Sequence, residues 1–287
     1  MKKNLIKIFD ILLSISVFFF KWILIKFRKR GAENLPLTSK LLKKSGLYPI
    51  ITHYYDPKFE YSKDEKKLYL NRNLKSIDLK KNNQVKLLEK LNFKNELIEQ
   101  NLDRGSKNFD FKFNNGSFEK GDAEIYYQII RYFKPKKIIE VGSGHSTLIA
   151  MEAIKKNESE NIKTSMKCIE PYENPWLEKL NIEILRESLE QTKLDWSEEL
   201  KENDIFFLDS SHIIRPDGDV LKFYLEILPN LKSGVIIHIH DIFTPKNYLA
   251  NWTFEKVRLW NEQYLLEGIL ANSDKYEILL SLNYLKN

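Results

Sequence analysis

The sequence predicts a Rossmann-like α/β fold: an open, mostly parallel sheet with helices on both faces, preceded by an N-terminal helical, membrane-proximal extension. Three observations predict it. From Lys136 onward, short apolar runs alternate with helix-like stretches, the signature of a parallel sheet covered on both sides. Each of four such runs turns polar at its carboxyl end. The first of them flows into a glycine-rich turn.

The chain has 287 residues, which suits one large domain or one domain with an extension. Cys168 is the only cysteine, so an intramolecular disulfide and a Cys-rich zinc site are both excluded. The net charge is +6. Residues 1–45 hold eleven Lys/Arg and two acids (Asp10, Glu33), so that arm carries +9 and the remainder −3. The basic balance belongs to the arm, and a basic surface for nucleic acid is not indicated.

The arm begins "MKKNLIKIFDILLSISVFFFKWILIKFRKR". Charges interrupt its apolar stretch, so no uncharged run reaches the ~18 residues of a spanning helix. Lys3, Lys7, Asp10, Ser14, Lys21 and Arg28 fall along one helical stripe amid Ile, Leu, Phe and Trp. A narrow polar stripe with a basic end predicts a helix lying in the bilayer interface. A tilted spanning anchor and a core or partner helix are the alternatives. No small-residue cleavage site follows the apolar run, which argues against a signal peptide. If the arm spans, the cluster Lys26 to Arg30 keeps the following domain on the cytoplasmic face.

Pro36, Pro49 and Pro57 break any long helix over 31–60. His53, Tyr54 and Tyr55 are expected to pack the arm rather than line a site. Residues 80–103 have apolar residues at three- and four-residue steps and predict a helix. A polar loop follows, and Asp122 is expected to cap the helix from Ala123 to Phe133.

The sheet then opens with "KIIEVGSG", ending in Glu140 and the glycine turn. "MKCIEP" ends in Glu170, "DIFFLDSSH" in Asp209 and His212, and "GVIIHIHD" in His240 and Asp241. A weaker strand, "NIEILRES", precedes the third of these. The stretches "STLIAMEAIKKN", "DWSEELKEN" and "VLKFYLEILPNL" read as helices. In open α/β sheets ligands bind at the carboxyl ends of the strands. Glu140, Glu170, Asp209 and His240–Asp241 are therefore expected to meet on one rim.

The turn "GSGHST" supplies Gly142 and Gly144, but Thr147 stands where a dinucleotide fingerprint has its third glycine. A carboxylate before the turn would repel a pyrophosphate and suits a cationic ligand with an ammonium group. Glu170, about one βα unit further on, is suited to accept hydrogen bonds from two ribose hydroxyls.

"IIEVGSGHST" followed by "CIEP" resembles the first two motifs of class I S-adenosylmethionine-dependent methyltransferases. The longer set, including "FFLDSSHIIRPDGDV", "GVIIHIHDIFTP" and "WNEQYLL", resembles the bacterial methyltransferase-24 type. The resemblance covers roughly 104–287, which leaves 1–45 as the arm and 46–103 as a linker and helical extension. It implies that Glu140, Gly142, Ser143 and Gly144 form the loop on the methionine side. Glu170 would bind ribose, and Glu187 or Ser188 would lie near adenine. His145 and Ser146 would donate to the ligand carboxylate, with helix capping an equal reading for Ser146.

The chain is more distantly similar to catechol O-methyltransferases, which hold a divalent metal. That similarity places a metal set at Asp209, His240 and Asp241, and sets His212 at the position of the catalytic lysine. An imidazole ligand would favour Mn, Fe, Co or Zn over Mg. Without a metal, the same residues suit proton removal from the acceptor. His212 or His240 would act as general base, with Asp209 and Asp241 orienting them. His238 lies two residues deeper on the face of His240 and reads as a hydrogen-bonded core histidine.

The implied activity is O-methylation of a sugar, surface glycan, lipid-linked or other small hydroxyl acceptor. A metal-dependent hydrolase built on "HIHD" is one rival, though it leaves Glu140 and the glycine turn without a task. A non-catalytic membrane-associated module is another, and an NAD-dependent oxidoreductase a third.

Overall fold

The computed structural model describes residues 2–51, 56–57, 69–99, 110–172 and 174–286. The chain divides into two compact units, Met1–Lys67 and Leu68–Asn287. His53, Tyr54 and Tyr55 lie outside the described residues.

In the first unit, α1 (Lys2–Arg30) is one unbroken helix of 29 residues. At 1.5 Å per residue this is about 43 Å, longer than the ~30 Å hydrocarbon core of a bilayer. Consecutive residues Phe18, Phe19 and Phe20 are all exposed, as are Ile8, Phe9, Ile11 and Leu12. Consecutive positions on a helix point in different directions, so apolar surface wraps most of it and leaves the narrow stripe of Lys3, Lys7, Asp10, Ser14, Lys21 and Arg28. By length and composition the stretch Asn4–Arg30 suffices to cross a membrane. The interrupting lysines, which shorten every uncharged run, do not remove that capacity. Phe27 is buried against Tyr48, and Arg28 pairs with Asp56. Gly31, at φ +85°, ends the helix, and α2 (Pro36–Lys44) follows with proline in its first turn.

In the second unit, α3 (Lys81–Lys90) and α4 (Lys94–Glu99) replace the single helix expected over 80–103. The break has a cause. Leu91 turns into the core, and the Phe93 N–H donates to Gln128 Oε1 at 3.2 Å instead of continuing the helix. Next comes α5 (Asp122–Phe133). Asp122 opens it rather than capping it: Gly121 is the cap, and its N–H donates to Glu124 Oε2 at 3.1 Å. The buried Arg131 of α5 binds Glu96 of α4 at 2.8 Å.

The remaining elements alternate as expected: β1 (Lys137–Val141), α6 (His145–Ser159), β2 (Ser165–Ile169) and β3 (Glu183–Leu185). Then come α7 (Trp196–Glu199), a single capped turn where a longer helix was expected, and β4 (Ile205–Leu208). Helix α8 (Asp219–Leu221) continues through a wide-turn segment, Lys222–Ile227, to Asn230. β5 (Ile236–Ile239), α9 (Glu262–Ala271) and α10 (Leu282–Leu285) complete the chain.

The five strands pair in parallel in the order β3-β2-β1-β4-β5. Alternate strand residues face opposite sides. Ile138, Cys168, Ile205 and Phe207 pack under α5 and α6, while Ile139, Val141, Phe206 and Leu208 pack under the α8 segment. The strand order reverses between β1 and β4, and the crevice above that point is where such sheets hold ligands.

Candidate functional site

The strand register fixes which polar residues share the rim. Val141 pairs with Ile169 and with Leu208, and Leu208 with Ile239. The next residue of each strand, Gly142, Glu170, Asp209 and His240, therefore forms one row at the strand ends. Glu140 pairs with Cys168 and Phe207, two residues deeper. The expectation that Glu140 meets the ligand on the rim is corrected by that depth. Glu140 has no exposed surface, and its oxygens accept from Ser146 Oγ and Thr147 Oγ1, each at 2.6 Å.

Glu140 thus braces the glycine turn from below. Thr147, at the place of the missing third glycine, also accepts from the Gly144 N–H at 3.0 Å, tying turn, helix and strand together. Ser146 spends its hydroxyl on Glu140 and is buried, so it neither caps α6 nor faces a ligand. Burial pushes the Glu140 pKa up to about 7, against the donors Ser146, Thr147 and Cys168. A carboxyl whose folded pKa is raised gives stability that is full below its unfolded pKa and lost as pH rises through the folded value. In urea unfolding, wild type should lose on the order of 3 kcal/mol relative to Glu140→Gln between about pH 4.5 and pH 7, and no more above it. A pH-independent difference would show that Glu140 stays ionised in the folded protein.

Gly142 and Gly144 are glycine for different reasons. Gly142 has φ +77°, and a Cβ there would stand 2.0 Å from the Asp209 carbonyl oxygen. Its constraint comes from the protein's own backbone. At Gly144 a Cβ would meet only Asn174 Nδ2, at 3.7 Å. No clash within the described protein demands that glycine, which fits a ligand passing close to its backbone.

Glu170 is buried at the end of β2, with Oε2 accepting from the Ser143 N–H and Oε1 from the Tyr172 N–H, each at 3.1 Å. Asn174 and Arg186, which sequence reasoning missed, hold this rim. Asn174 Nδ2 donates to the Ser143 carbonyl at 2.8 Å, and Arg186 donates to the Glu170 carbonyl at 3.0 Å. Glu187 and Ser188 are half-buried just beyond β3. His145 begins α6 and its Nδ1 meets Ser117 Oγ at 2.8 Å; burial lowers its pKa.

Across the crevice, Asp209, His212 and Asp241 converge. Each offers a ligand atom, and the three atoms lie within 4.8 Å of one another. His212 Nε2 is 3.1 Å from Asp209 Oδ1 and 3.8 Å from Asp241 Oδ2. Its Nδ1 is 2.8 Å from Oε2 of Glu262, a fully buried carboxylate. Burial opposes charge on His212, but the bonds to Asp209 and Glu262 outweigh it and raise its pKa to about 10. Burial likewise opposes charge on Asp209, yet His212 and His240 keep its pKa below the usual carboxylate range. Burial raises the pKa of Asp241.

Two expectations are corrected here. The converging set is Asp209, His212 and Asp241, not Asp209, His240 and Asp241. His240 ends its strand beside Phe118, ring centroids 5.0 Å apart, with Nε2 3.6 Å from Asp241 Oδ1. It borders the cluster without entering it. With no ion bound, Asp209 and Glu262 favour the protonated ring, so His212 is not poised as the free base expected of it; a divalent ion at Nε2 would take the place of that proton. The donor set fits a divalent ion: two carboxylates and one imidazole whose other nitrogen faces a carboxylate, the usual support of a metal-bound histidine. His238 stacks on Phe207 at 4.4 Å, and desolvation drives its pKa down to about 3. It is a neutral core residue held by rings; among the described residues no hydrogen bond to it is seen.

An aromatic wall bounds the cluster. Trp260 lies 4.3 Å from the His212 ring, Trp252 5.1 Å from Trp260, and Phe243 5.4 Å from Trp252. Asp122, from the start of α5, is half-buried, and burial raises its pKa.

A family model described as a methyltransferase domain matches residues 139–242, from β1 to just past Asp241. An uncharacterized protein of Archaeoglobus fulgidus is 33% identical over 164 residues, which is 53% of this chain and 73% of the relative. No solved structure matches the chain.

Proposed function

The chain belongs to the methyltransferase-domain family, with a Rossmann-like class I sheet, and on that premise we propose that it moves a methyl group from S-adenosylmethionine to a hydroxyl of a sugar, surface glycan or lipid-linked acceptor. The observation that carries this reading is the row Gly142, Glu170, Asp209 and His240, which sets a donor half and an acceptor half on either side of the β1–β4 crevice.

In the donor half, Glu170 takes the ribose hydroxyls, and the open backbone at Gly144 passes along the methionine portion. Ser143 and His145 border that portion, and Glu187 and Ser188 border the adenine. Bound S-adenosylmethionine supplies a methyl on a sulfonium, electrophilic enough for in-line displacement. In the acceptor half, Asp209, His212 and Asp241 would hold a divalent ion, which would supply Lewis-acid activation of a neighbouring hydroxyl. Glu262 accepts a hydrogen bond from the His212 Nδ1–H and so fixes the Nε2 direction. The acceptor proton goes to the edge of the cluster, where His240 Nε2 lies 3.6 Å from Asp241 Oδ1. Calorimetry tests the donor half directly. S-adenosylhomocysteine should bind the full-length protein and NAD should not; the reverse would sink the reading.

On this reading the arm anchors the activity at a membrane with the basic end of α1 (Arg28, Lys29, Arg30) on the cytoplasmic side, supported by the length and composition of Asn4–Arg30. Full-length protein should fractionate with membranes and stay there in high salt, which screens surface attraction within about 10 Å at 0.1 M but leaves an inserted helix in place. Deleting residues 1–30 should release it. Extraction of the full-length chain by salt alone would return the arm to the interface, and a soluble full-length chain in the presence of lipid would refute both.

A further inference from the structure

The aromatic wall beside the cluster carries a cation that the chemistry so far leaves unused. Arg258 lies between two tryptophans, its guanidinium carbon 4.7 Å from the Trp252 ring and 4.5 Å from the Trp260 ring. It is half-buried, and no carboxylate among the described residues pairs with it. The other buried or half-buried arginines of this unit are engaged: Arg72 with Glu267, Arg131 with Glu96. Stacking between rings fixes the plane of a guanidinium while leaving its edge of donors free. A planar fork held in place without a partner is suited to a carboxylate or a phosphate.

Its position relative to the reacting groups is defined by Trp260, which touches both. Trp260 contacts Arg258 at 4.5 Å and the His212 ring at 4.3 Å, so the guanidinium lies within about 9 Å of the imidazole. That is the reach of one pyranose ring with its substituent. Phe243, two residues after Asp241, closes the same wall through Trp252. Arg258 and the His212 imidazole of the cluster therefore have Trp260 as a common neighbour.

Building on the methyltransferase reading, we infer that the acceptor is anionic: Arg258 binds a carboxylate or phosphate on the sugar unit whose hydroxyl receives the methyl group. Arg258 is a specificity-determining residue, and its pairing sets which hydroxyl reaches Asp241.

The test uses tryptophan emission, since Trp252 and Trp260 flank the guanidinium, in full-length protein saturated with S-adenosylhomocysteine. The probes are glucuronate, glucose 6-phosphate, inorganic phosphate and glucose. At least one anionic probe should change the emission saturably while glucose does not, and the two sugar acids distinguish a carboxylate from a phosphate acceptor. Arg258→Gln should weaken that probe at least tenfold; Arg258→Lys, which keeps the charge but loses the fork, should fall between. Both variants should bind S-adenosylhomocysteine as wild type does. Equal response to glucose, no response to any anionic probe, or undiminished anion binding by Arg258→Gln would overturn the inference with the methyltransferase reading intact. Failure of wild type to bind S-adenosylhomocysteine would overturn that reading itself.

Discussion

Asp209→Asn and Asp241→Asn should each lower methyl transfer by roughly 10²–10⁴-fold while S-adenosylhomocysteine affinity stays within a few-fold of wild type. The two carboxylates lie on the acceptor side of the crevice, away from Glu170 and Gly144. On the proposed reading, neutralising either would remove an anionic ligand from the cation set and charge from the place where the acceptor proton departs. His212→Ala should act differently. It leaves Glu262, which has no exposed surface, as a buried carboxylate without its cation. Breaking such a pair costs about 3–5 kcal/mol, so this variant should unfold earlier as well as fail in turnover. Chelation followed by add-back completes the experiment. Activity lost to chelator and restored by Mn or Co, with restoration absent in Asp209→Asn, is the expected result. Full activity in chelator would leave Asp241 and His240 working without an ion.

The pH behaviour of His212 sharpens that contrast. Its folded pKa of about 10 lies above its unfolded value. Its contribution to stability is therefore full below about pH 6.5 and is lost as pH rises towards 10. A free imidazole base would need the opposite poise, near or below the working pH. The similarity to catechol O-methyltransferases set His212 at the place of their catalytic lysine, three residues after Asp209. What the sequence did not display was Glu262, fifty residues further on, whose carboxylate turns that histidine into a held cation.

That residue illustrates where the reading of the sequence stopped. Strands were legible because apolar runs with polar ends recur, and parallel pairing follows from the helices between them. The rim was legible to within two residues. Glu140 was misplaced because depth depends on register, and register appears only when β1 is set beside β2 and β4. His240 was overvalued for a related reason. It ends β5 and aligns with Asp209, but its side chain stays on the face of Phe118 and Phe207 while the backbone turns at Asp241, φ +55°. Asn174 and Arg186 were invisible because their parts are played through contacts between loops distant in sequence, and Trp260, though it opens the quoted "WNEQYLL", had no readable role until the fold set it against His212. Asn174 sits at φ +55°, a conformation asparagine tolerates, and this was the one local signal available for it.

Gly142→Ala should destabilise the protein by about 3 kcal/mol or more, the range of severe single substitutions with a named steric cause. Two penalties combine at this site. The residue needs φ +77°, and its Cβ would press to 2.0 Å from the Asp209 carbonyl oxygen. Neither neighbour can yield cheaply: the Gly142 N–H donates to the Ile169 carbonyl at 3.1 Å, and the Asp209 N–H to the Val141 carbonyl at 3.0 Å. Relief would pull β1 from β2 or β4 at the switch point, so cofactor binding should fail as a consequence of the lost rim. Gly144→Ala is the control with the opposite signature. Its added methyl meets only Asn174 Nδ2 at 3.7 Å, so stability should stay within about 1 kcal/mol of wild type. S-adenosylhomocysteine affinity should nevertheless fall at least tenfold, because the methyl occupies the space along which the ligand approaches the turn. Thermal unfolding and calorimetry on the two variants separate the roles. Wild-type affinity in a well-folded Gly144→Ala protein would show that the ligand does not run past this glycine, and would move the donor half away from the β1 turn.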